Sequence, residues 1–275
     1  MAVARVNGTD LFYTAVGGGI PCLVMHGGLG VDHTQFREWL DPLGDALHLV
    51  YYDHRGNGRS GRPPIETLTF DQLVADADGL SAHLGFEKVA VMGHSYGGCL
   101  ALLYALQYPE RVSHLLLVGT TAAWDYFDDM AAELQRRAVS PAVVRALLDL
   151  PSTEEEMARD QYAIAPVAFR CDNVALVDRV LGKTIWNAAA NVQSRQMAGD
   201  FNVVSRLGEI TAPTLILTGR EDFFCPPSQA SRMRRGIAGS DIVIFERSGH
   251  YPFAEEDPAF LDAVRSWLQG RRRAV

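Results

Sequence analysis

Lys88-Val89-Ala90-Val91-Met92-Gly93-His94-Ser95-Tyr96-Gly97-Gly98 decides the reading of this chain. Lys88 to Met92 reads as a short buried strand, and Gly98 to Tyr108, rich in Ala and Leu, as a helix. Between them, Gly93-His94-Ser95-Tyr96-Gly97 fits G-x-S-x-G, a serine on a strained strand-to-helix turn that lifts its hydroxyl above a sheet. Small residues on both sides let the backbones pass. The first turn of the following helix offers free N–H groups and a positive dipole end, suited to a developing oxyanion. The pentapeptide alone is a weak signal; strand, turn and helix together make it strong.

A serine needs a base to activate it, and the base needs an orienting acid. For this motif the chain order is Ser, then Asp or Glu, then His. Pro213 to Gly219 reads as a buried strand and leads into Arg220-Glu221-Asp222. Ile242 to Phe245 reads as another strand and leads into Ser248-Gly249-His250, before a final helix. Ser95, Asp222 and His250 thus all fall beyond the carboxyl ends of strands, where open α/β sheets place their sites. Glu221 competes with Asp222 for the acid role. His26, His54 and His94 sit in turns and read as packing residues; His33, His48, His83 and His114 have no motif around them.

The remaining chain carries the rhythm of an α/β fold. Asn7-Gly8 between Val3–Val6 and Leu11–Val16 is a two-residue hairpin signal. Ile20–Met25, Leu47–Tyr52, Val89–Met92 and Leu115–Val118 are apolar runs suited to buried parallel strands, with amphipathic stretches such as Phe70–Leu84 between them. Residues 121–207 lose the strands. There Tyr126–Val139, Pro141–Leu150, Thr153–Ala163 and Val174–Ala190 read as helices, one opened by a capping box with Ser152 as N-cap and Glu155 at N3. Residues 1–120 and 208–275 therefore form one core, and 121–207 a helical insertion.

These pieces resemble the α/β-hydrolase family almost end to end. The resemblance rests on His26-Gly27-Gly28-Leu29-Gly30 after a strand, Asp53-His54-Arg55-Gly56-Asn57-Gly58-Arg59-Ser60, the serine elbow, the Gly219-to-Asp222 turn and Ser248-Gly249-His250. Ser95-Tyr96-Gly97-Gly98, Ala101-Leu102 and Tyr108-Pro109-Glu110-Arg111 make it most similar to the prolyl aminopeptidase branch and its esterase relatives. The resemblance implies a mostly parallel sheet with helices on both faces and a helical cap at 121–207. It implies Asp222 rather than Glu221 as the acid, and an oxyanion hole of the Gly28 and Tyr96 N–H groups, with Leu29 as the rival of Gly28. Asp53 and Arg55 are expected to brace a loop beside the site. No metal or organic cofactor is expected, and the substrate is a small molecule.

Composition narrows the class further. The 275 residues, 48% hydrophobic and 21% charged, suit one large domain with an insertion. A net charge of -8 gives no basic surface for nucleic acid. Arg271-Arg272-Arg273 reads as a solvated helix end. The start lacks a charged-then-apolar leader pattern and no apolar run suits a bilayer, so a cytoplasmic protein without membrane contact is expected, as a monomer or homo-oligomer. Cys22, Cys99, Cys171 and Cys225 form no C-x-x-C pair and read as reduced and mostly buried. Cys225, three residues past Asp222, is a candidate site-lining residue.

Substrate is read from what the aminopeptidase pattern would require. A free α-ammonium calls for buried carboxylates near the triad. In that branch a glutamate directly follows the catalytic aspartate; here the position is Phe223, followed by Phe224. A second cap glutamate would fall near Asn191, leaving Glu154, Glu155, Glu156, Asp178 or Asp200 as substitutes. An ester, lactone or amide of a neutral acyl group is therefore favoured, with Leu29, Trp124, Tyr126, Trp186, Phe223, Phe224 and Phe253 as candidate pocket residues. The alternatives are an aminopeptidase and a non-catalytic ligand-binding relative. Dehalogenase and epoxide-hydrolase relatives carry an aspartate where Ser95 stands.

Overall fold

The sheet explains where the chemistry gathers. The computed structural model describes residues 2–170 and 174–272. Its strands are β1 (Ala2–Val6), β2 (Thr9–Val16), β3 (Ile20–Met25), β4 (Leu47–Tyr52), β5 (Val89–His94), β6 (Val112–Val118), β7 (Thr214–Gly219) and β8 (Asp241–Phe245). They form one sheet in the order β1-β2-β4-β3-β5-β6-β7-β8. β1 and β2 are antiparallel additions at one edge, and β4 through β8 run parallel. Asn7 and Gly8 both have positive φ (44° and 78°), the geometry that the Asn-Gly hairpin signal requires.

Helices cover both faces, so the central strands are apolar on both sides. They are α1 (Arg37–Leu40), α2 (Phe70–His83), α3 (Tyr96–Gln107), α4 (Phe127–Arg136), α5 (Pro141–Leu148), α6 (Glu154–Ala163), α7 (Ala165–Ala168), α8 (Val174–Leu181), α9 (Ala188–Ala198), α10 (Pro227–Gly236), α11 (Pro252–Glu255) and α12 (Asp257–Arg272). Leu23, Met25, Val91, Leu115, Leu117 and Ile216 point into one core with α2, α3 and α10. Val24, Met92, Leu116 and Leu217 point into the other, with α1, α11 and α12. This alternation about the strand axis is the period of two of a pleated sheet.

Helices α4 to α9 lie between β6 and β7, and an isolated antiparallel bridge, Ala123↔Asn202, ties the two ends of that segment together. Two local readings need correction there. The expected helix over 174–190 is two: α8 stops at Leu181, and α9 starts at Ala188 because the Asn187 side chain accepts the Ala190 N–H as its N-cap. The expected capping box is shifted by one residue. Thr153, not Ser152, caps α6 by accepting the Glu156 N–H, and the Glu156 carboxylate reaches back to the Ser152 N–H and hydroxyl. Among the described residues no helix is long and apolar enough to cross a membrane. Cys22, Cys99 and Cys225 are buried free thiols, whereas Cys171 and Arg273 lie outside the described residues.

Candidate active site

Ser95 stands at the join of β5 and α3 with φ 54° and ψ −120°, a backbone state that a side-chain-bearing residue adopts only under constraint. The constraint is visible. The Ser95 N–H donates to the Val118 carbonyl at 2.9 Å, and the Thr120 hydroxyl donates to the Ser95 carbonyl at 2.7 Å. A Cβ on Gly93 would lie 2.2 Å from the Gly97 carbonyl oxygen, and one on Gly97 would lie 2.2 Å from that of Met25. Both glycines are thus required by close backbone approach.

Asp222 lies three residues past β7 and His250 five past β8. Asp222 is buried, and its carboxylate faces His250 Nδ1 at 2.9 and 3.0 Å. Its Oδ1 also accepts the Cys225 N–H at 2.9 Å. The His250 N–H donates to the Ala168 carbonyl at 2.7 Å, so α7 holds the histidine's backbone. His94, next to Ser95, donates its Nε2–H to the His250 carbonyl at 2.9 Å, with the two rings 4.7 Å apart. Burial, then the neighbouring His250 ring, pushes the His94 imidazole well below its ordinary range, so it is neutral.

β3 and β5 are neighbours, so the loop after β3 meets the elbow. A Cβ on Gly27 would lie 3.0 Å from Ser95 Cβ. Gly28 is the exposed residue of this loop, while Leu29 is fully buried in the core. His26 anchors its start. Its Nε2 accepts the His54 N–H at 3.1 Å, which leaves Nδ1–H to donate to the Gly27 carbonyl at 2.9 Å. Tyr96 opens α3, where the first N–H groups have no partner within the helix. Its ring stacks on Phe70.

The Asp53–Ser60 loop braces the same region. Asp53 Oδ1 accepts both the His33 N–H and His33 Nδ1–H, and Oδ2 accepts the Arg59 N–H. Burial raises the Asp53 carboxyl, but the His33 hydrogen bond and charge outweigh it and hold it below its ordinary value. Asp32, His33 and Asp53 approach one another closely enough for a metal site. Their facing atoms are already spent on hydrogen bonds, and Arg59 reaches Asp32 at 3.2 Å, so the cluster works as a loop brace. Arg55, in the same loop, ties it to α2 by pairing with Asp76 at 2.5 and 2.7 Å. Glu221 pairs with Arg170 at 3.2 Å rather than with Arg220, which takes Glu246.

The aromatic candidates separate by position. Phe224 packs on the His250 ring at 5.1 Å between centroids. Phe223 is buried with Val143, Ala146, Ile164 and Val167 of the inserted helices. Phe253 is a core residue beneath His94, in contact with Phe36 and Phe260. Trp124 stacks on Tyr126, whose hydroxyl donates to the Phe224 carbonyl at 2.8 Å. Trp186 packs against Val31, Met157 and Ala188. Cys225 is buried, its thiol pushed far above the ordinary range by burial and the neighbouring Asp222. A groove of about 630 Å³ has Arg137, Val143, Phe169, Arg220 and Glu221 among its lining residues.

The profile of the alpha/beta hydrolase fold family matches residues 21–257. The chain belongs to the α/β-hydrolase family. It is 30% identical to a proline iminopeptidase, PfmaB, of Pestalotiopsis fici, over 96% of this chain and 98% of that one. Among solved structures this α/β-hydrolase is similar to a thermophilic esterase from Thermogutta terrifontis, at 25% identity and a TM-score of 0.79 over 98% of this chain and 96% of that one. It also shares its fold with the enol-lactonase of Burkholderia xenovorans, at 24% identity and a TM-score of 0.78 over 98% of this chain and all of that one. Aminopeptidase-like and esterase-like relatives thus both surround this α/β-hydrolase.

Proposed function

We propose that Ser95, His250 and Asp222 form a catalytic triad, and that the protein hydrolyses an ester or lactone of a small, largely neutral acyl group. His250 takes the Ser95 proton as the hydroxyl attacks the carbonyl. Asp222 holds the imidazole in the required tautomer and stabilises the imidazolium. The Gly28 and Tyr96 N–H groups receive the tetrahedral oxyanion. The leaving group departs with the His250 proton, and water then cleaves the acyl-enzyme. Hydrogen bonds of an unliganded catalytic site are often long or poorly aligned and tighten around substrate. Residues 121–207 serve as a cap over the strand ends.

One observation carries the substrate reading. Phe223 and Asn191 are both buried and uncharged; the resemblance puts one carboxylate of an aminopeptidase at the first position and the other near the second. Glu154, Glu155, Asp178 and Asp200 are exposed, and Glu156 is spent on Ser152. An ammonium group would therefore be desolvated without a paired charge, which is costly. The likeness to a proline iminopeptidase favours a second reading, release of an N-terminal residue. Turnover of short p-nitrophenyl esters, lactones and free-amine prolyl or alanyl anilides by wild type and Ser95→Ala separates the two. Ester or lactone preference, abolished in Ser95→Ala, supports the neutral pocket. Preference for the anilides overturns it, and turnover retained in Ser95→Ala overturns the triad.

A further inference from the structure

One peptide of the loop after β3 is gripped from two directions. The Gly30 N–H donates to Asn57 Oδ1 at 2.5 Å. The Leu29 carbonyl, the other end of that peptide unit, accepts from Asn191 Nδ2 at 3.2 Å. Asn57 belongs to the Asp53–Ser60 loop of the core, and Asn191 to α9 of the insertion. The next peptide is held as well: the Gly30 carbonyl accepts the Asn187 N–H at 2.9 Å. Asn187 Nδ2 in turn donates to the Gly56 carbonyl at 2.6 Å. All three asparagines are more than nine-tenths buried. The fit has no slack, since a Cβ on Gly30 would lie 2.4 Å from the Asn187 carbonyl oxygen and 3.0 Å from Asn191 Cβ.

We propose that Asn57 and Asn191 are positioning residues that aim the oxyanion loop, so that helix α9 sets the geometry of the hole. The proposal rests on the serine-hydrolase reading above. An oxyanion donor works only if its N–H points where charge develops, and small misplacements cost rate heavily. Gly28 and Gly30 both have positive φ and no side chains to bias them, so the orientation of this loop must be imposed from outside. A side-chain amide suits the task, because it donates or accepts without placing a net charge beside the developing anion. Asn191 Oδ1 is buried without a hydrogen-bond partner. An apolar residue there would avoid that desolvation cost, so the amide is better accounted for by what its Nδ2 holds.

Phosphonylation of Ser95 by an alkyl fluorophosphonate reads the hole without knowledge of the natural substrate. The Ser95 Oγ–P bond forms as P–F breaks, fluoride leaves, the serine proton passes to His250, and the phosphoryl oxygen occupies the hole. Second-order labelling rates would be compared for wild type, Asn57→Ala, Asn191→Leu and the double variant, with thermal midpoints in parallel. Each single change should slow labelling at least tenfold. The double should be little slower than the slower single, because both side chains act on one peptide. Losses that multiply, or that follow the thermal midpoints, indicate ordinary packing and overturn the proposal, as do rates within threefold of wild type. Should Asn191→Leu fail to fold, Asn191→Ala removes the donor without adding a charge and decides the matter by the same tenfold criterion. Labelling that persists in Ser95→Ala, or is absent from wild type, means that the serine reading has failed, and this proposal with it; labelling confined to Ser95 but indifferent to both asparagines means that the grip alone has failed.

Discussion

The Nε2–H of His94 donates to the backbone carbonyl of His250 at 2.9 Å, so the residue before the candidate nucleophile holds the main chain of the candidate base. Strain at the elbow and placement of the imidazole are thereby coupled through one ring. His94→Phe keeps the packing against Phe253 and Tyr251 but leaves the His250 carbonyl without this donor. The expected cost is about 1–3 kcal/mol of stability, with kcat lowered about tenfold as the base loosens by a fraction of an ångström. His94→Gln, which can still donate, should recover part of both. Equal kcat in His94→Phe and wild type would show that the contact is packing alone.

Burial also makes stability depend on pH. His26, His54 and His94 are buried, and desolvation holds each below its ordinary value. The unfolded chain binds protons near pH 6.5 that the native state refuses. The stability linked to these groups is therefore complete above about pH 6.5 and drains as pH falls, at up to about 1.4 kcal/mol per pH unit for each histidine. Urea midpoints should fall between pH 7.5 and 5.5, and His54→Gln should flatten the trend. A slope unchanged in that variant would remove His54 from the account.

Arg55 and Asp76 form a buried pair, with side chains 3% and 2% exposed. Gln72 and Asn7 complete the shell around the aspartate at 3.0 and 3.1 Å. Arg55→Met strands a buried carboxylate and should cost about 3–5 kcal/mol, whereas Arg55→Met with Asp76→Leu should recover most of it. Chemical denaturation of the three proteins checks this. A double variant no better than the single would mean that the pair's geometry, rather than its charge balance, supports the Asp53–Ser60 loop.

How much of this can be read from the chain depends on the range of the interaction. Strands buried on both faces appear as continuous apolar runs, and Asn7-Gly8 carries its turn type in two residues. The Asp222–His250 contact is legible because each residue follows its own strand and parallel strands deliver their ends to one edge. What escapes is tertiary. Asn57 and Asn191 carry no local signature, and their partners lie 27 and 162 residues away. Phe223 and Phe224 are adjacent on an irregular turn, where no period says which one meets His250. The break between α8 and α9 has a local signal, Gly182 followed by a capping Asn187, which the apolar run across them hides.

Asp222 offers the sharpest test, because its surroundings dictate how a substitute must sit. Oδ1 accepts the Cys225 N–H at 2.9 Å, and a carboxamide at this position would keep its oxygen there. The amide NH₂ would then face His250 Nδ1, which accepts that donor only in the tautomer with its proton on Nε2. Such a ring cannot take the Ser95 proton. Asp222→Asn should therefore lower kcat on the order of 10⁴, the scale seen when a serine-protease triad loses its aspartate, with little change in thermal midpoint because shape and the Cys225 bond survive. Glu221→Gln, which alters only a half-exposed partner of Arg170, should stay within threefold of wild type. Measured side by side on one ester, the reverse order of losses would move the acid role from Asp222 to Glu221.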